Sequence, residues 1–489
     1  MLSMGLKKKC MIGLGLAGIS LSIYLFNKGE KAVAAPPEKS DYEFSIPNNS
    51  WMKTNEEQIP IVFLNRSQNA AEWDKLTSFW NAGTQKVKDA VTGKETEVAV
   101  VKIKVPLGLT QNPPIPVENP MTVAKWNLGK KIYFDPIVSS NNTVSCASCH
   151  DPKMGFTDQS KVSVGINGNL GGMSAPSVYN SAYSLVQFWD GRAPTLEAQC
   201  QGPPQNPLEM FDGKGNAWEA VIDRMRAKPE YVAMFKEVFG TLPTRDGAAK
   251  AMAAYERTVL TGNSIHDRAE IAMRKRVADE ETGKFEILAK DYEKVLAESF
   301  AAKDSSSLNA LGVKSAEKAE LSEIARSINN GRILFNGKAR CNGCHVGDSF
   351  SDSQFHNLGV GAKEGKLPEG MLGRYGAQPT GQKNPELVGA FKTPPLRQLL
   401  ATAPYMHDGS LATLEDVVDF YEKGGNVNPF LDIRMRDYAA EKATGNSKAV
   451  KPLPLGLTPF EKKDLVNFMK ALNGEPGDAI VVDPSKFAK

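Results

Sequence analysis

The sequence has no obvious pair of cysteines for a structural disulfide. Of its six cysteines, four lie in two Cys-x-x-Cys-His motifs, Cys10 lies in an apolar N-terminal segment, and Cys200 stands alone. Exported proteins commonly use their cysteines in disulfides. The four motif cysteines of this chain indicate a different chemistry.

Neither sign of charge dominates the sequence. The formal net charge is +3 over 489 residues, with 24% charged and 41% hydrophobic residues, which is ordinary for a soluble globular protein. A charge this small gives no argument for nucleic-acid binding and allows only a modest preference for an acidic partner. The length is sufficient for two or three domains with their own cores.

Long apolar runs are also scarce, and the run at the N-terminus is too short for a comfortable membrane-spanning helix. MIGLGLAGISLSIYLF (11–26) follows the basic segment LKKKC, which is typical of a secretory signal. The small residues 32–34 offer a cleavage site. We predict a signal peptide over residues 1–35, with an uncleaved membrane anchor as the alternative. Either segment places the body of the protein in the periplasm.

The two Cys-x-x-Cys-His motifs are the strongest chemical signal in the chain. Two thiols one helical turn apart can form thioethers with the vinyl groups of a haem, and the adjacent histidine can bind its iron. A zinc site or a redox cysteine pair is the alternative for a single motif, but two copies favour a di-haem c-type cytochrome. The predicted haem-binding residues are Cys146, Cys149, His150, Cys341, Cys344 and His345.

The two halves of the chain repeat each other beyond these motifs. GKKIYF (129–134) and GRILF (331–335) precede the motifs, FWDGRAPTLE (188–197) matches MHDGSLATLE (406–415), and a helical pattern closes each half, at 248–263 and 458–475. We therefore predict a mainly α fold. It consists of two tandem cytochrome c-like helical domains, each with one covalent haem, plus a small N-terminal α+β extension.

The domain boundaries follow from this repeat. In the N-terminal extension, PIVFLN and TEVAVVKIKV predict strands, and AEWDKLTSFWN predicts a short amphipathic helix. The insertion between the haem domains is rich in Lys, Glu and Ala, and we interpret it as a solvated or dimer-lining helical hairpin. The predicted segments are the extension (36–118), haem domain 1 (119–262), the insertion (263–325), haem domain 2 (326–475) and a tail (476–489).

The differences between the repeats are as informative as the matches. Trp189 stands where the second half has His407. Beyond the shared TLE, the first half offers Gln199 and Glu209, whereas the second half offers Tyr421. We expect the two irons to be ligated differently.

The segments CASCHDPKMGFTD, SAPSVYN, QFWDGRAPTLEAQ, GPPQNPLEM and TAPYMHDG together resemble the bacterial di-haem cytochrome c peroxidase and MauG family. The resemblance covers roughly residues 119–475. It implies two covalently bound haem c groups, with peroxide reacting at the N-terminal haem and electrons passing through the C-terminal haem.

The resemblance also assigns roles at the first haem. Glu209 falls on the distal catalytic carboxylate, which can act as base and then as acid when peroxide is split, and Gln199 falls on a distal amide. Trp189 matches an indole between the haems that can carry an electron. A solvated carboxylate, a structural amide and an ordinary buried tryptophan are the alternatives. Many members carry a blocking histidine where this chain has Ile166, so we expect an open first haem.

At the second haem, the resemblance places Tyr421 on the axial-ligand position, which is methionine in the peroxidases and tyrosine in MauG. Met406 is the rival ligand, since a thioether raises the reduction potential. The family binds a calcium between the haems through an amide side chain and two carbonyls. Thr402 and Pro404 match the carbonyl positions, but Ser174 replaces the asparagine, which weakens the expectation of one calcium.

We assign supporting or structural roles to the remaining polar residues. His356 could hydrogen-bond a haem propionate. We expect His266 at the surface or at an interface. We interpret Cys200, beside Gln199, as a small buried residue with an apolar packing role.

The leading functional prediction is a di-haem peroxidase that reduces hydrogen peroxide to water with electrons from a small periplasmic donor, a cytochrome c or a cupredoxin. The alternative is a MauG-like oxidase that uses a high-valent di-haem state to modify a partner protein. A non-catalytic electron carrier is the third prospect, and it is disfavoured by Glu209 together with the missing histidine at 166. A homodimer is left open.

Overall fold

Helices dominate the regular structure of the chain. The computed structural model describes residues 58–88, 92–280, 283–446 and 448–488, so the predicted signal peptide or anchor lies outside the described residues. Sixteen α-helices, several single 3₁₀ turns and five short strands are present in the described part. The mainly α prediction is confirmed.

The helices follow the two halves of the sequence. Those up to the end of the first half are α1 (Ala70–Trp73), α2 (Val123–Phe134), α3 (Cys146–Cys149), α4 (Leu196–Gln199), α5 (Ala217–Arg226), α6 (Pro229–Phe239) and α7 (Arg245–Glu256). Those that follow are α8 (Ile265–Glu280), α9 (Ala289–Ala301), α10 (Ser305–Leu311), α11 (Lys318–Asn336), α12 (Arg374–Ala377), α13 (Leu414–Glu422), α14 (Tyr438–Ala443), α15 (Pro459–Ala471) and α16 (Ala479–Val482).

A small sheet precedes the first half. Strands β1 (Ile61–Leu64) and β3 (Glu95–Lys104) lie where the sequence predicts strands, and they pair in parallel. The predicted helix at 71–81 is only partly right. Helix α1 ends at residue 73, and β2 (Trp80–Lys88) begins within the predicted helix and pairs antiparallel with residues 95–103 of β3. Strand pairing with β3 overrides the local helical pattern there. Strands β4 (Phe355–His356) and β5 (Phe391–Lys392) form a separate antiparallel pair in the second half.

Each half is built on one crossing helix pair. Helix α2 packs against α7 in the first half, and α11 packs against α15 in the second. A glycine lies at each crossing. A Cβ added at Gly129 would overlap the carbonyl oxygen of Ala251, and one added at Gly331 would overlap that of Asp464. The glycines shared by GKKIYF and GRILF therefore let the two backbones meet.

The matching segments FWDGRAPTLE (188–197) and MHDGSLATLE (406–415) also have the same backbone conformation. Phe188 and Met406 hold equivalent positions with positive φ values of 68° and 70°. A bridge closes each turn, from Gln187 to Ala193 in the first half and from Tyr405 to Leu411 in the second. The internal duplication read from the sequence is thus a duplication of backbone conformation.

The helices of the insertion each bury one face in the second core. Ile265, Ala269 and Met273 of α8 and Tyr292 and Val295 of α9 belong to one apolar core with Leu465 and Phe468 of α15. The residues that make this segment rich in Lys and Glu lie mainly on the outer faces of these helices. Helix α11 also begins at residue 318, inside the predicted insertion.

The tail returns to the first half of the chain. The ammonium of Lys130, which is fully buried, contacts the carbonyl oxygens of Ile480, Asp483 and Lys486 at 2.5, 2.6 and 2.6 Å. The hydroxyl of Tyr255 donates to the carbonyl of Val481 at 2.9 Å. Since Lys130 lies on α2, the end of the chain is fastened to the first crossing helix.

A buried ion pair joins the extension, the insertion and the second half. Arg397 bonds to both carboxylate oxygens of Asp267, at 2.7 and 3.1 Å, and also to the carbonyls of Gly108 and Asp348. Both side chains of the pair are almost fully buried. The described residues contain no helix that is both long and apolar enough to cross a membrane.

Replacing Gly331 by alanine is expected to destabilise the fold, because the new methyl group meets the backbone of α15. Overpacking of this kind costs about 1–3 kcal/mol, which exceeds the roughly 0.5–1 kcal/mol that alanine gains over glycine inside a helix. Denaturant unfolding of the haem-loaded protein measures the change in free energy.

Gly172→Ala is the control, because a Cβ at this position meets nothing within 4 Å. We expect its unfolding free energy to stay within about 0.5 kcal/mol of the wild type. Equal midpoints for Gly331→Ala and the wild type would contradict the close approach of α11 and α15.

Candidate functional site

The first motif presents its histidine with one ring nitrogen already fixed. Cys146–Cys149 form the single helical turn α3, and His150 follows as its C-cap. The Nδ1 atom of His150 lies 3.2 Å from the carbonyl oxygen of Phe156. A carbonyl can only accept a hydrogen bond, so Nδ1 carries the proton and Nε2 is left to bind a metal. Tyr133 supports this turn by donating to the carbonyl of His150 at 2.8 Å.

The second motif has the same arrangement. The Nδ1 atom of His345 lies 2.8 Å from the carbonyl oxygen of Phe350. Phe156 and Phe350 both have positive φ, at 57° and 53°. Burial lowers the pKa of His150, and it lowers that of His345 to about 4. Both imidazoles are neutral at neutral pH, as iron ligation requires.

A large apolar cavity opens at the second motif. Its volume is about 710 Å³, within the range of roughly 300–1,000 Å³ that is typical of ligand and cofactor sites. Cys341, Cys344 and His345 line the cavity together with both predicted distal ligands, Tyr421 and Met406. The chain therefore brings a haem-attachment motif and its candidate axial ligands into one cavity.

Two polar groups in this cavity lack the partners that burial normally demands. The hydroxyl of Tyr421 makes no hydrogen bond with any described residue, and burial, with the two motif thiols next in effect, raises its pKa. The buried tyrosines 133 and 255 and the half-buried Tyr405 donate to backbone carbonyls, and Tyr292 shares a hydrogen bond with His266. The ammonium of Lys392 has only a 3.4 Å contact with the hydroxyl of Ser184, and burial lowers its pKa to about 8.

These groups fit a haem. The Tyr421 oxygen suits an iron ligand, and the Lys392 ammonium suits an anionic propionate. Sequence analysis missed Lys392, although a lysine inside the apolar run GAFKTPP was the available signal. Both Tyr421 and Met406 line the cavity, so the choice of Tyr421 over Met406 as the sixth iron ligand stays a prediction.

The predicted distal residues of the first motif lie close to its thiols. Glu209 is more than half buried, and its Oε1 accepts from the amide of Asn206 at 2.6 Å. Burial raises the pKa of Glu209, against the charge of Arg192 and the bond from Asn206. Burial, followed by nearby charges that include Glu209, raises the pKa of both Cys146 and Cys149.

Gln199 and Ile166 are the other two residues for which sequence analysis predicts a place on the distal side of the first haem. The Oε1 atom of Gln199 is buried and has no hydrogen-bond partner, which suits a group that contacts a bound ligand. Ile166 is 1% exposed, and its backbone N–H donates to the carbonyl of Glu209 at 2.9 Å. An isoleucine therefore stands beside the candidate proton carrier, and it cannot ligate iron.

Trp189 connects the two halves. Its indole N–H donates to the carbonyl of Ser174 at 2.8 Å, and its ring meets that of His407 at 6.3 Å. His407 stacks on Phe391 at 3.5 Å, and all four residues line the cavity. Phe188, next to Trp189 in the chain, holds the guanidinium of Arg192 at 3.5 Å, and the charge of Arg192 acts on Glu209. Trp189 therefore contacts His407 of the second half and is adjacent in sequence to a residue that holds Arg192.

The three predicted calcium residues lie in the same region of the structure. Ser174, Thr402 and Pro404 all line the cavity. The carbonyl of Ser174 already accepts from Trp189, and the Thr402 hydroxyl donates to the carbonyl of Leu399 at 3.1 Å. Calcium binding stays a prediction.

One histidine prediction is wrong and another stays a prediction. The Nδ1 and Nε2 atoms of His356 already lie 2.7 and 3.0 Å from carboxylate oxygens of Asp432 and Asp352. His356 also lines the cavity, so its bond to a propionate stays a prediction. Burial lowers the pKa of His356, but the bonds with Asp432, Cys344 and Asp352 outweigh it and raise the pKa to about 10. His266 lies inside the second core, against Phe350 and Phe468, instead of at the surface.

The prediction for Cys200 is consistent with its position. Cys200 is 5% exposed within the first core. Beside it lies a residue that sequence analysis missed. Glu256 is 6% exposed, and burial raises its pKa to about 8 against the bond from Cys200 and the charge of Arg257. A single acidic residue in the apolar stretch AMAAYE was the available signal.

The geometry is that of a c-type cytochrome with two haem-attachment motifs. Comparisons with known proteins agree. Residues 123–275 match the family model described as di-haem cytochrome c peroxidase. Cytochrome-c peroxidase IdrP1 of Denitromonas iodatirespirans is 32% identical over 393 residues, which are 75% of this chain and 86% of that protein.

Methylamine utilization protein MauG of Methylorubrum extorquens is also similar, at 32% identity over 369 residues, 74% of this chain and 82% of that protein. The crystal structure of a MauG-like protein associated with microbial copper homeostasis superimposes with a TM-score of 0.55 and 28% identity, covering 77% of this chain and 97% of that one. The chain belongs to the family of di-haem cytochrome c peroxidases and MauG proteins. It is an oxidoreductase with two covalently bound haem c groups, as the resemblance implied.

Glu209→Gln is expected to slow the reaction with peroxide by roughly 10²–10⁴-fold, the usual contribution of a positioned acid–base group. Because burial raises the pKa of Glu209, the wild-type rate should fall as the pH drops through a value above the ordinary carboxyl range. Rapid mixing with peroxide at several pH values measures both effects.

Glu219→Gln is the matched control, since Glu219 accepts the same kind of bond from an asparagine three residues earlier, at 3.1 Å, but lies outside the site. We expect its rate and pH profile to follow the wild type. A Glu209→Gln variant that keeps the wild-type pH profile would exclude Glu209 as the proton carrier.

Proposed function

We propose that the protein is a di-haem peroxidase that reduces hydrogen peroxide to water in the periplasm, with electrons from a small donor protein such as a cytochrome c or a cupredoxin. The observation that carries the proposal is the largely buried Glu209 near the first motif, with its raised pKa and with Ile166 hydrogen-bonded to its carbonyl. By the family resemblance, Ile166 replaces a blocking histidine. A carrier that only passes electrons has no use for a proton-transferring group at an open iron.

Each haem would be held by its two motif cysteines and its histidine. Cys146, Cys149 and His150 hold one group, and the equivalent residues of the second motif hold the other. When bound, the haems supply iron centres that react with peroxide and exchange electrons. In domain terms, we assign residues 119–262 and 326–475 to the two tandem haem domains.

The side chains of the chain itself handle protons and position. The Glu209 carboxylate takes a proton from the bound peroxide and returns it to the departing oxygen. Gln199 directs its free Oε1 into the same environment and orients the ligand. Ile166 and the surrounding core exclude competing ligands. Trp189, between the first distal side and the second cavity, conducts electrons between the halves.

A second candidate is a MauG-like oxidase that modifies a partner protein. The unpaired hydroxyl of Tyr421 favours it, because an anionic oxygen ligand stabilises ferric and more oxidised iron. Both MauG itself and a MauG-like protein are similar to this chain. Either candidate function is compatible with a calcium ion at Ser174, Thr402 and Pro404 and with a homodimer.

Peroxide followed by reduced cytochrome c separates the candidates, and Trp189→Phe tests the relay. In the wild type, peroxide should change the haem spectrum, and the donor should then be oxidised rapidly over many turnovers. In Trp189→Phe, the peroxide-induced change should persist while donor oxidation slows, because the indole between the halves is missing. Stopped-flow absorbance follows both steps.

Trp218→Phe is the matched control, since Trp218 is also buried and donates to a carbonyl at 3.0 Å but does not line the cavity. A long-lived oxidised state that ignores the donor would favour the MauG-like oxidase. A spectrum that peroxide leaves unchanged would exclude both activities.

A further inference from the structure

A buried tyrosine–histidine couple lies behind the second motif. The hydroxyl of Tyr292 and the Nδ1 atom of His266 are 2.8 Å apart, and their rings stack at 6.2 Å with an interplanar angle of 21°. Tyr292 on α9 is fully buried, and His266 lies near the start of α8. Both residues belong to the insertion, and nothing in the proposed peroxide chemistry uses them.

The hydrogen bond joins two neutral groups. Burial lowers the pKa of His266 to about 4, with Asp267 acting against it, so the imidazole is neutral at neutral pH. Burial raises the pKa of Tyr292, so its phenol keeps its proton. A neutral imidazole has one acceptor nitrogen. In the tautomer with the proton on Nε2, that acceptor is Nδ1 and Tyr292 donates to it, and the proposal uses this tautomer.

The adjacent acid does not compete for this proton. Asp267 is held by both nitrogens of the Arg397 guanidinium, and its pKa is lowered by that charge although burial alone would raise it. The imidazole of His266 is thus the base in contact with the phenol.

The couple is connected to the second motif through Phe350. The ring of His266 lies 6.0 Å from that of Phe350 and 5.2 Å from that of Phe468. The carbonyl of Phe350 accepts the Nδ1–H bond of His345 at 2.8 Å. One residue therefore links the iron-binding histidine to the tyrosine–histidine couple.

Three other tyrosines near the motifs differ in one respect. Tyr133, Tyr255 and the half-buried Tyr405 donate to backbone carbonyls. Tyr231, in the first core, donates to a carboxylate, that of Asp135. A carbonyl cannot take up the phenolic proton, whereas the imidazole of His266 can.

We propose that Tyr292 is a redox-active residue that stores an oxidising equivalent from the second haem. Tyr292 gives one electron to the haem centre that peroxide has oxidised, and its phenolic O–H proton moves at the same time to Nδ1 of His266. The products are a neutral tyrosyl radical, an imidazolium and a haem centre reduced by one electron. An electron from the donor protein, with the proton returned by His266, restores the phenol. The supply of the oxidant rests on the proposed function.

Electron paramagnetic resonance of the haem-loaded full chain, frozen after peroxide is added without donor, tests the proposal. We expect a radical signal in the wild type that narrows when the protein carries ring-deuterated tyrosine. Tyr292→Phe should lose the signal. His266→Gln should also lose it, because an amide accepts a hydrogen bond but does not take the proton.

Tyr405→Phe is the matched control, since Tyr405 lines the second cavity but donates to the carbonyl of Leu399, and it should keep the radical signal. Haem content and the unfolding midpoint of each variant establish that it is folded. A peroxide-induced spectral change without a tyrosine signal, or a signal that survives in Tyr292→Phe, overturns the proposal.

A second oxidant separates this proposal from the peroxidase proposal. Photogenerated ruthenium(III) tris-bipyridine oxidises the protein without peroxide. If peroxide leaves the haem spectrum unchanged, the proposed function fails, and the ruthenium experiment then decides the role of Tyr292. A Tyr292-dependent radical supports the couple, and its absence overturns it.

Discussion

The hydrogen bond between a buried imidazole and the backbone carbonyl that follows it is the interaction on which both sites depend. In each half, a phenylalanine with positive φ turns its carbonyl back to Nδ1 of the motif histidine, Phe156 to His150 and Phe350 to His345. That bond fixes the tautomer and aims Nε2. The two cysteines beside the histidine determine where a haem would be attached. In each half, a glycine lets two helices pack closely, α2 against α7 and α11 against α15.

The two halves share this frame but differ in the residues that follow it, and we propose that this difference sets the chemistry. In the first half, the proposal assigns Glu209 as the proton carrier and Gln199 as the amide that orients the ligand, with Ile166 leaving the iron open. In the second half, the proposal assigns the hydroxyl of Tyr421, which lines the cavity, as an iron ligand. Trp189 and His407 occupy equivalent positions of the repeat and touch each other, so the duplicated segment is also the contact between the halves.

Much of the site and of the helical frame could be predicted from sequence, because both depend on local pattern. The motifs, the duplicated FWDG and MHDG segments, and the helices around Gly129 and Gly331 lie where the repeat indicates. Features set by contacts distant in sequence were missed. Strand β2 forms because β3 is available to pair with it, and the tail is held by Lys130, some 350 residues earlier in the chain. His266 looked like a surface residue because α8 is highly charged, whereas its position is set by packing against α15.

The most direct test of the central claim, that the two irons are completed differently, is resonance Raman and electron paramagnetic resonance spectroscopy of the fully oxidised protein. We predict one iron with His150 and an open sixth position, and a second iron with His345 and an oxygen ligand from Tyr421. Two six-coordinate haems with nitrogenous ligands would contradict this account.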